Sequence, residues 1–216
     1  GLNETKNFAA LGGLKMLNVL LIGPPGSGKG TQAQKISEYW SIAHISTGEL
    51  LRDEVKRETS LGLKVANIIA QGQLVSDDIV LALIREKISS ITSQGFLLDG
   101  YPRNIEQAKQ LSRLLEEIEQ PITHVIEFVV SDEELISRIQ HRQSVGGRSD
   151  DSVVIARERL DIYLRYAVPV LEFYRESLRN GSGVQFHQID GVGSLDEVFS
   201  RIKKALIMED LINSST

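Results

Sequence analysis

The aliphatic run Leu17–Ile22 passes directly into GPPGSGKG, residues 23–30, and then into a stretch with helical periodicity. Few architectures accommodate that order. A strand this apolar is covered on both faces, and glycines at 23, 26, 28 and 30 let the backbone curl tightly before a helix opens near Lys29. Successive N–H groups then converge on one concavity at the positive end of a helix, a geometry suited to phosphate. Gly23–Lys29 keep the spacing G-x-x-x-x-G-K, but Gly30 follows the lysine and the hydroxyl arrives one place late, at Thr31.

Beyond the loop, short apolar runs alternate with amphipathic stretches. Strands are expected at 17–22, 42–45, 96–99, 124–130 and 184–189, all near-continuous apolar runs. Helices are expected at 29–39, 48–58, 61–71, 77–90, 104–118, 132–142, 151–179 and 195–208. The alternation predicts an α/β fold: a P-loop parallel five-stranded sheet flanked by helices. Residues 46–75 hold two helices before the next strand and are expected to form an inserted helical lobe. Residues 141–151, HRQSVGGRSDD, are polar and glycine-containing, and are expected to form a flap with inward-facing cations.

At 216 residues the chain suits a single domain over 16–216, preceded by an N-terminal extension over 1–15 that carries neither an Arg-rich bias nor an apolar signal stretch. A net charge of −5 argues against nucleic acid as a partner. With no cysteine there is no disulfide and no thiolate zinc site, which fits a reducing compartment. No apolar run approaches a membrane span, so no membrane partner is expected. A cytoplasmic monomer is the expectation, with organelles left open.

The chemistry follows from residue types. Lys29 places a cation on the β- and γ-phosphates of a bound nucleotide. Asp99 ends the apolar strand of GFLLDG and is the expected acid for Mg²⁺ and its waters. Arginines at 52, 103, 138, 142, 148 and 159 fall in segments bordering the carboxyl edge of the sheet, where ligands of open α/β sheets bind. So many cations point to two phosphorylated ligands brought together. Arg57, Arg113, Arg175 and Arg201 are expected to be surface salt-bridge partners. His44, His124, His141 and His187 show no pairing for acid–base work and are expected in core or surface roles.

The motifs GPPGSGKGTQ, ISTGELLRDEV, GQLVSDDIV, GFLLDGYPRNIEQA and GGRSDD…RERL occur in the order and spacing of one family. The chain resembles the adenylate kinases of the short-lid type, among the nucleoside monophosphate kinases, over nearly all of residues 17–207. Glycine after the loop lysine is that family's own variant. The resemblance implies transfer of the terminal phosphoryl group of ATP to AMP, giving two ADP. It places ATP on Gly26, Ser27, Gly28, Lys29, Gly30 and Thr31, with Arg142 at the flap and Gly193 near the base. It places AMP on Thr47, Arg52, Gln73, Leu74, Val75, Gly100, Tyr101, Pro102, Arg103 and Gln107. Arg148 and Arg159 would bridge towards the transferred group, Arg138 would assist, 46–75 would be the AMP-binding lobe and 141–151 the lid.

A UMP/CMP kinase is the nearest alternative. Thr47 and Gln107 favour adenine, whereas Asn104 stands where these adenylate kinases often carry Thr. A GTPase would need N-K-x-D, which the chain lacks. A non-catalytic nucleotide sensor is opposed by the intact Lys29, Asp99 and arginines.

Overall fold

The computed structural model describes residues 16–145 and 152–213. The expected extension over 1–15 and the second half of the expected lid, with Arg148, lie outside the described residues. Along the chain run β1 (Leu17–Ile22), α1 (Lys29–Trp40), β2 (Ala43–Ser46), α2 (Thr47–Lys56), α3 (Ser60–Ala70), α4 (Asp77–Ser89), β3 (Gly95–Asp99), α5 (Ile105–Glu117), β4 (His124–Val129), α6 (Asp132–Val145), α7 (Ser152–Arg179), β5 (Gln185–Asp190) and α8 (Leu195–Asn213).

The strands form one sheet in the order β2-β3-β1-β4-β5, and every neighbouring pair is parallel. From β1 the chain builds β2 and β3 on one side, then crosses to β4 and β5 on the other. The order reverses at β1, and such a reversal opens a crevice at the carboxyl edge of the sheet.

Side-chain alternation explains why the central strands read as continuous apolar runs. In β1, Leu20 and Ile22 face the core shared with α4, α5 and α7, beside Ile84, Leu111 and Val170. Val19 and Leu21 face the opposite core, built with Ala33 and Ile36 of α1 and Val198 and Ile202 of α8. β3 divides likewise, with Phe96 and Leu98 on the first face and Leu97 on the second. The expectation of two covered faces fails at the sheet margins. Only Ile45 in β2 and Ile189 in β5 are buried, because an edge strand has a neighbour on one side alone.

Two helices run further than their expected ends. α6 continues to Val145, so the first five residues of the expected lid are helical; QSV carries no breaker before the Gly146–Gly147 pair. α8 continues to Asn213 for the same reason. Among the described residues, no helix is long and apolar enough to cross a membrane.

Residues 46–75 do hold two helices, and a buried acid ties them together. Glu54 of α2 accepts from Arg57 Nη2 at 2.5 Å and from Thr59 Oγ1 at 2.6 Å. Thr59 caps α3, its hydroxyl accepting from the Gly62 N–H at 2.9 Å. The helices approach so closely that a Cβ on Gly62 would lie 1.9 Å from the Glu54 carbonyl oxygen. Gly62→Ala therefore pushes backbone against backbone. We expect it to destabilise this lobe by about 1–3 kcal/mol. Hydrogen exchange should then quicken in α2 and α3 while β1 and β4 stay protected.

At the far side of the sheet, the His124 and His187 rings stack at 6.0 Å, 14° from parallel. Burial, and then the charge of His187, lower His124 to about 4, so the fold holds it neutral. Its ordinary value in an unfolded chain is about 6.5. The unfolded state therefore takes up the proton first as pH falls. The stability due to neutral His124 is complete above about pH 6.5 and is lost progressively down to about pH 4. Between pH 7 and 5, wild type should lose about 2 kcal/mol more than His124→Gln in urea unfolding.

Candidate active site

The loop after β1 is shaped by glycines that no other residue replaces without strain. Gly26 and Gly28 have φ of 81° and 82°, in the left-handed region. Gly28 is also the N-cap of α1, so no side chain caps this helix, and no acid stands in its first turn. Its leading N–H groups and positive dipole end are left to a ligand. At Gly30 an added Cβ would meet nothing within 4 Å. The glycine after the lysine thus keeps open space rather than satisfying a packing demand.

Lys29 Nζ lies 2.9 Å from Asp99 Oδ1. The parallel register pairs Leu21 with Asp99, so the acid ends β3 beside the start of the loop. Burial by itself raises the Asp99 carboxyl, but the neighbouring imidazole of His44 and the charge of Lys29 outweigh it and hold the group below the ordinary carboxylate value. His44 Nε2 stands 3.5 Å from Asp99 Oδ2. The histidine expected to be only a core or surface residue therefore touches the site. Its signal lay in sheet register, since β2 pairs Ser46 with Asp99 two residues after His44.

One cleft of about 1020 Å³ gathers most of the expected residues. Its loop end is lined by Gly26, Ser27, Gly28, Lys29, Gly30 and Thr31. Its other wall carries Thr47, Gln73, Leu74, Val75, Gly100, Tyr101, Pro102, Arg103 and Gln107. Asp99 lies behind, in a smaller polar cavity of about 490 Å³ that shares Gly30 with the main cleft and includes His44 and Glu49. Ile162, Tyr163, Tyr166 and Val170 of α7 also line the main cleft, although periodicity alone assigned α7 no ligand face.

The acceptor-side polar groups are closely arranged. Thr47 is buried and opens α2; the N-cap is Ser46. Asn104 caps α5 by accepting from the Gln107 N–H at 2.9 Å, the same task a threonine performs there. Gln107 Oε1 accepts from the Arg103 N–H at 2.7 Å, and its Nε2 donates to Asp77 Oδ1 at 2.8 Å. Arg103 Nε donates to the Gly100 carbonyl at 2.9 Å, and the residue lines the cleft. Burial, then the charges of Asp77 and Asp78, raise the Tyr101 phenol well above its ordinary value, so it stays neutral.

The arginines divide. Arg138 reaches inward, donating through Nη1 to the Gly26 carbonyl at 3.2 Å and through Nη2 to the Gly191 carbonyl at 3.0 Å, while Nε meets Glu134 at 3.1 Å. It braces the loop from behind. Arg52 folds back over its own helix, its Nη1 3.1 Å from where a Cβ of Gly48 would lie. Arg159 is exposed on α7, outside the cleft lining, and the side chain of Arg142 lies outside what is described. Gly193 sits in the loop after β5 beside Glu197 and Arg201 and is not among the residues that line the cleft. Of the arginines expected at the surface, Arg57 and Arg175 form their ion pairs, with Glu54 and Glu127. Arg201 instead donates to the Asp190 carbonyl at 2.8 Å.

Comparison with known proteins gives the family. A family model described as Adenylate kinase matches residues 21–179. An adenylate kinase of Xanthomonas oryzae pv. oryzae (strain MAFF 311018) is 45% identical over 191 residues, 88% of this chain and 99% of the relative. Those of Xanthomonas campestris pv. campestris (strain 8004) and Stenotrophomonas maltophilia (strain K279a) are 44% and 42% identical over the same shares. With a parallel P-loop fold, a gathered cleft and relatives this similar over nearly their whole length, the chain belongs to the adenylate kinase family.

Proposed function

We propose that the protein transfers the terminal phosphoryl group of ATP to AMP, reversibly, giving two ADP. The observation that carries this reading is the single cleft with two unlike ends. One end offers the uncapped N-terminus of α1 and Lys29; the other offers Thr47, the 73–75 backbone, Arg103 and Gln107. On this reading the ATP phosphates lie on residues 26–31, and the AMP base lies against Thr47 and Gln107. Residues 46–75 then form the acceptor lobe and 141–151 the lid, within one domain over 16–216 that works as a monomer. Arg52, Arg142, Arg148 and Arg159 would meet the phosphates with both nucleotides bound.

The transfer needs no side-chain nucleophile. An oxygen of the AMP phosphate forms the new bond to the γ-phosphorus as the bond to the β,γ-bridging oxygen breaks, and ADP leaves with that electron pair. Lys29, Arg103 and the loop amides hold the oxygens in line and meet the charge that spreads over them. Asp99 fits a magnesium site: an ionised hard-oxygen donor at the strand end, beside the loop, with a polar cavity for waters. Among the described residues no group of three or more His, Cys, Asp or Glu forms a metal cage, as suits an ion held mainly by water and phosphate. The metal would supply charge neutralisation on the donor phosphates. Arg138, already engaged with two carbonyls, is a positioning residue for the loop.

A coupled assay of ATP with AMP, UMP and CMP tests the reading, and AMP should be the preferred acceptor by a wide margin. A pyrimidine nucleotide used as well as AMP would overturn it. Lys29→Ala should lower kcat by roughly 10²–10³ with the circular dichroism spectrum retained. Arg138→Lys, unable to span both carbonyls, should lower stability by about 2 kcal/mol and raise the KM for ATP more than that for AMP. Thermal unfolding and steady-state kinetics read the two effects separately.

A further inference from the structure

The amide of Gln107 is held in one of its two orientations. Its Oε1 faces the Arg103 N–H at 2.7 Å and its Nε2 faces Asp77 Oδ1 at 2.8 Å. These partners do not exchange roles, since a backbone N–H only donates and a carboxylate only accepts. Rotating the amide by half a turn would set its oxygen against the carboxylate and its NH₂ against the N–H. Both contacts would then be repulsive. The backbone of Gln107 is fixed as well, because its N–H is taken by Asn104 Oδ1.

An amide carries two acceptor lone pairs and two donor hydrogens, and one of each is used here. What remains is one lone pair on Oε1 and one N–H on Nε2, in a fixed spatial order. A 6-aminopurine offers an amino donor beside a ring-nitrogen acceptor, which complements that order. A 6-oxopurine offers an acceptor beside an N–H donor and would need the amide reversed. Discrimination of this kind arises when the wrong base leaves buried polar groups facing their own kind.

We propose that Asp77 is a specificity-determining positioning residue: it locks the Gln107 amide so that the acceptor site takes 6-aminopurine monophosphates and refuses 6-oxopurine ones. This rests on the reading above that Gln107 meets the acceptor base. Asp77 itself stands in the first turn of α4, on a different element from Gln107, and lines the same cleft. Asp78, its neighbour, carries the same charge at the same helix end but makes no bond to the amide among those described.

The test compares kcat/KM for AMP and for inosine monophosphate in the whole protein, with ATP as donor. Asp77→Asn keeps the side chain's shape but can meet either orientation of the Gln107 amide, so that of the two contacts only the Arg103 N–H still opposes rotation. The preference for AMP should fall about tenfold, with the KM for ATP unchanged. Asp78→Asn, which removes the same charge, should keep the wild-type preference. In a Gln107→Ala background, Asp77→Asn should change nothing further. Should the asparagine variant not fold, Asp77→Ser, also accepted at helix starts, serves in its place. A preference within twofold of wild type in the Asp77 variant overturns the proposal, as does an effect that persists without Gln107. If Gln107→Ala abolishes the preference while Asp77→Asn does not, base reading by Gln107 stands and only the role of Asp77 falls. If neither moves it, both fall.

Discussion

The ion pair between Lys29 and Asp99 joins the two halves of the site. One partner opens α1 and the other ends β3, and the 2.9 Å contact closes across neighbouring parallel strands. It sets the loop against the sheet edge and, together with His44, holds the carboxylate below its ordinary value despite burial. It also keeps a cation pointed where phosphate charge gathers. The crevice itself opens where the order of strands reverses around β1, the strand that leads into the loop.

The cleft has two kinds of wall. The loop, Arg103 and Gln107 supply a few directed polar groups, while Val80, Ile162, Tyr163 and Val170 supply apolar surface. That mixture is common in nucleotide and small-ligand sites, where apolar contact holds the ring and a few hydrogen bonds choose it.

Much of this was legible in the sequence, and the exceptions share a cause. β1, α1 and the two helices of residues 46–75 followed from apolar periodicity and glycine placement, which are local signals. Lys29 and Asp99 followed because a loop and a strand end each carry their meaning in a short stretch. The inward turn of Arg138, the contact of His44 with Asp99 and the hold of Asp77 on Gln107 were not legible. Each joins segments far apart in the chain, and no spacing within either segment encodes the meeting. Arg201 shows the same limit, since a surface position on α8 gives no sign that its guanidinium will hold a carbonyl after β5. The overlong α6 and α8 are a different case, where the absence of a breaker outweighed an expected boundary.

The brace made by Arg138 has a consequence for the order in which the molecule matures. The loop it supports is complete by residue 30, yet the guanidinium comes 112 positions after Gly26 and its second carbonyl, on Gly191, comes later still. Contacts of such long sequence separation close late in folding, because the loop entropy of the intervening chain must be overcome first. During synthesis the nucleotide cradle therefore emerges well before the side chain that braces it. It reaches its final rigidity only after β5 has joined the sheet.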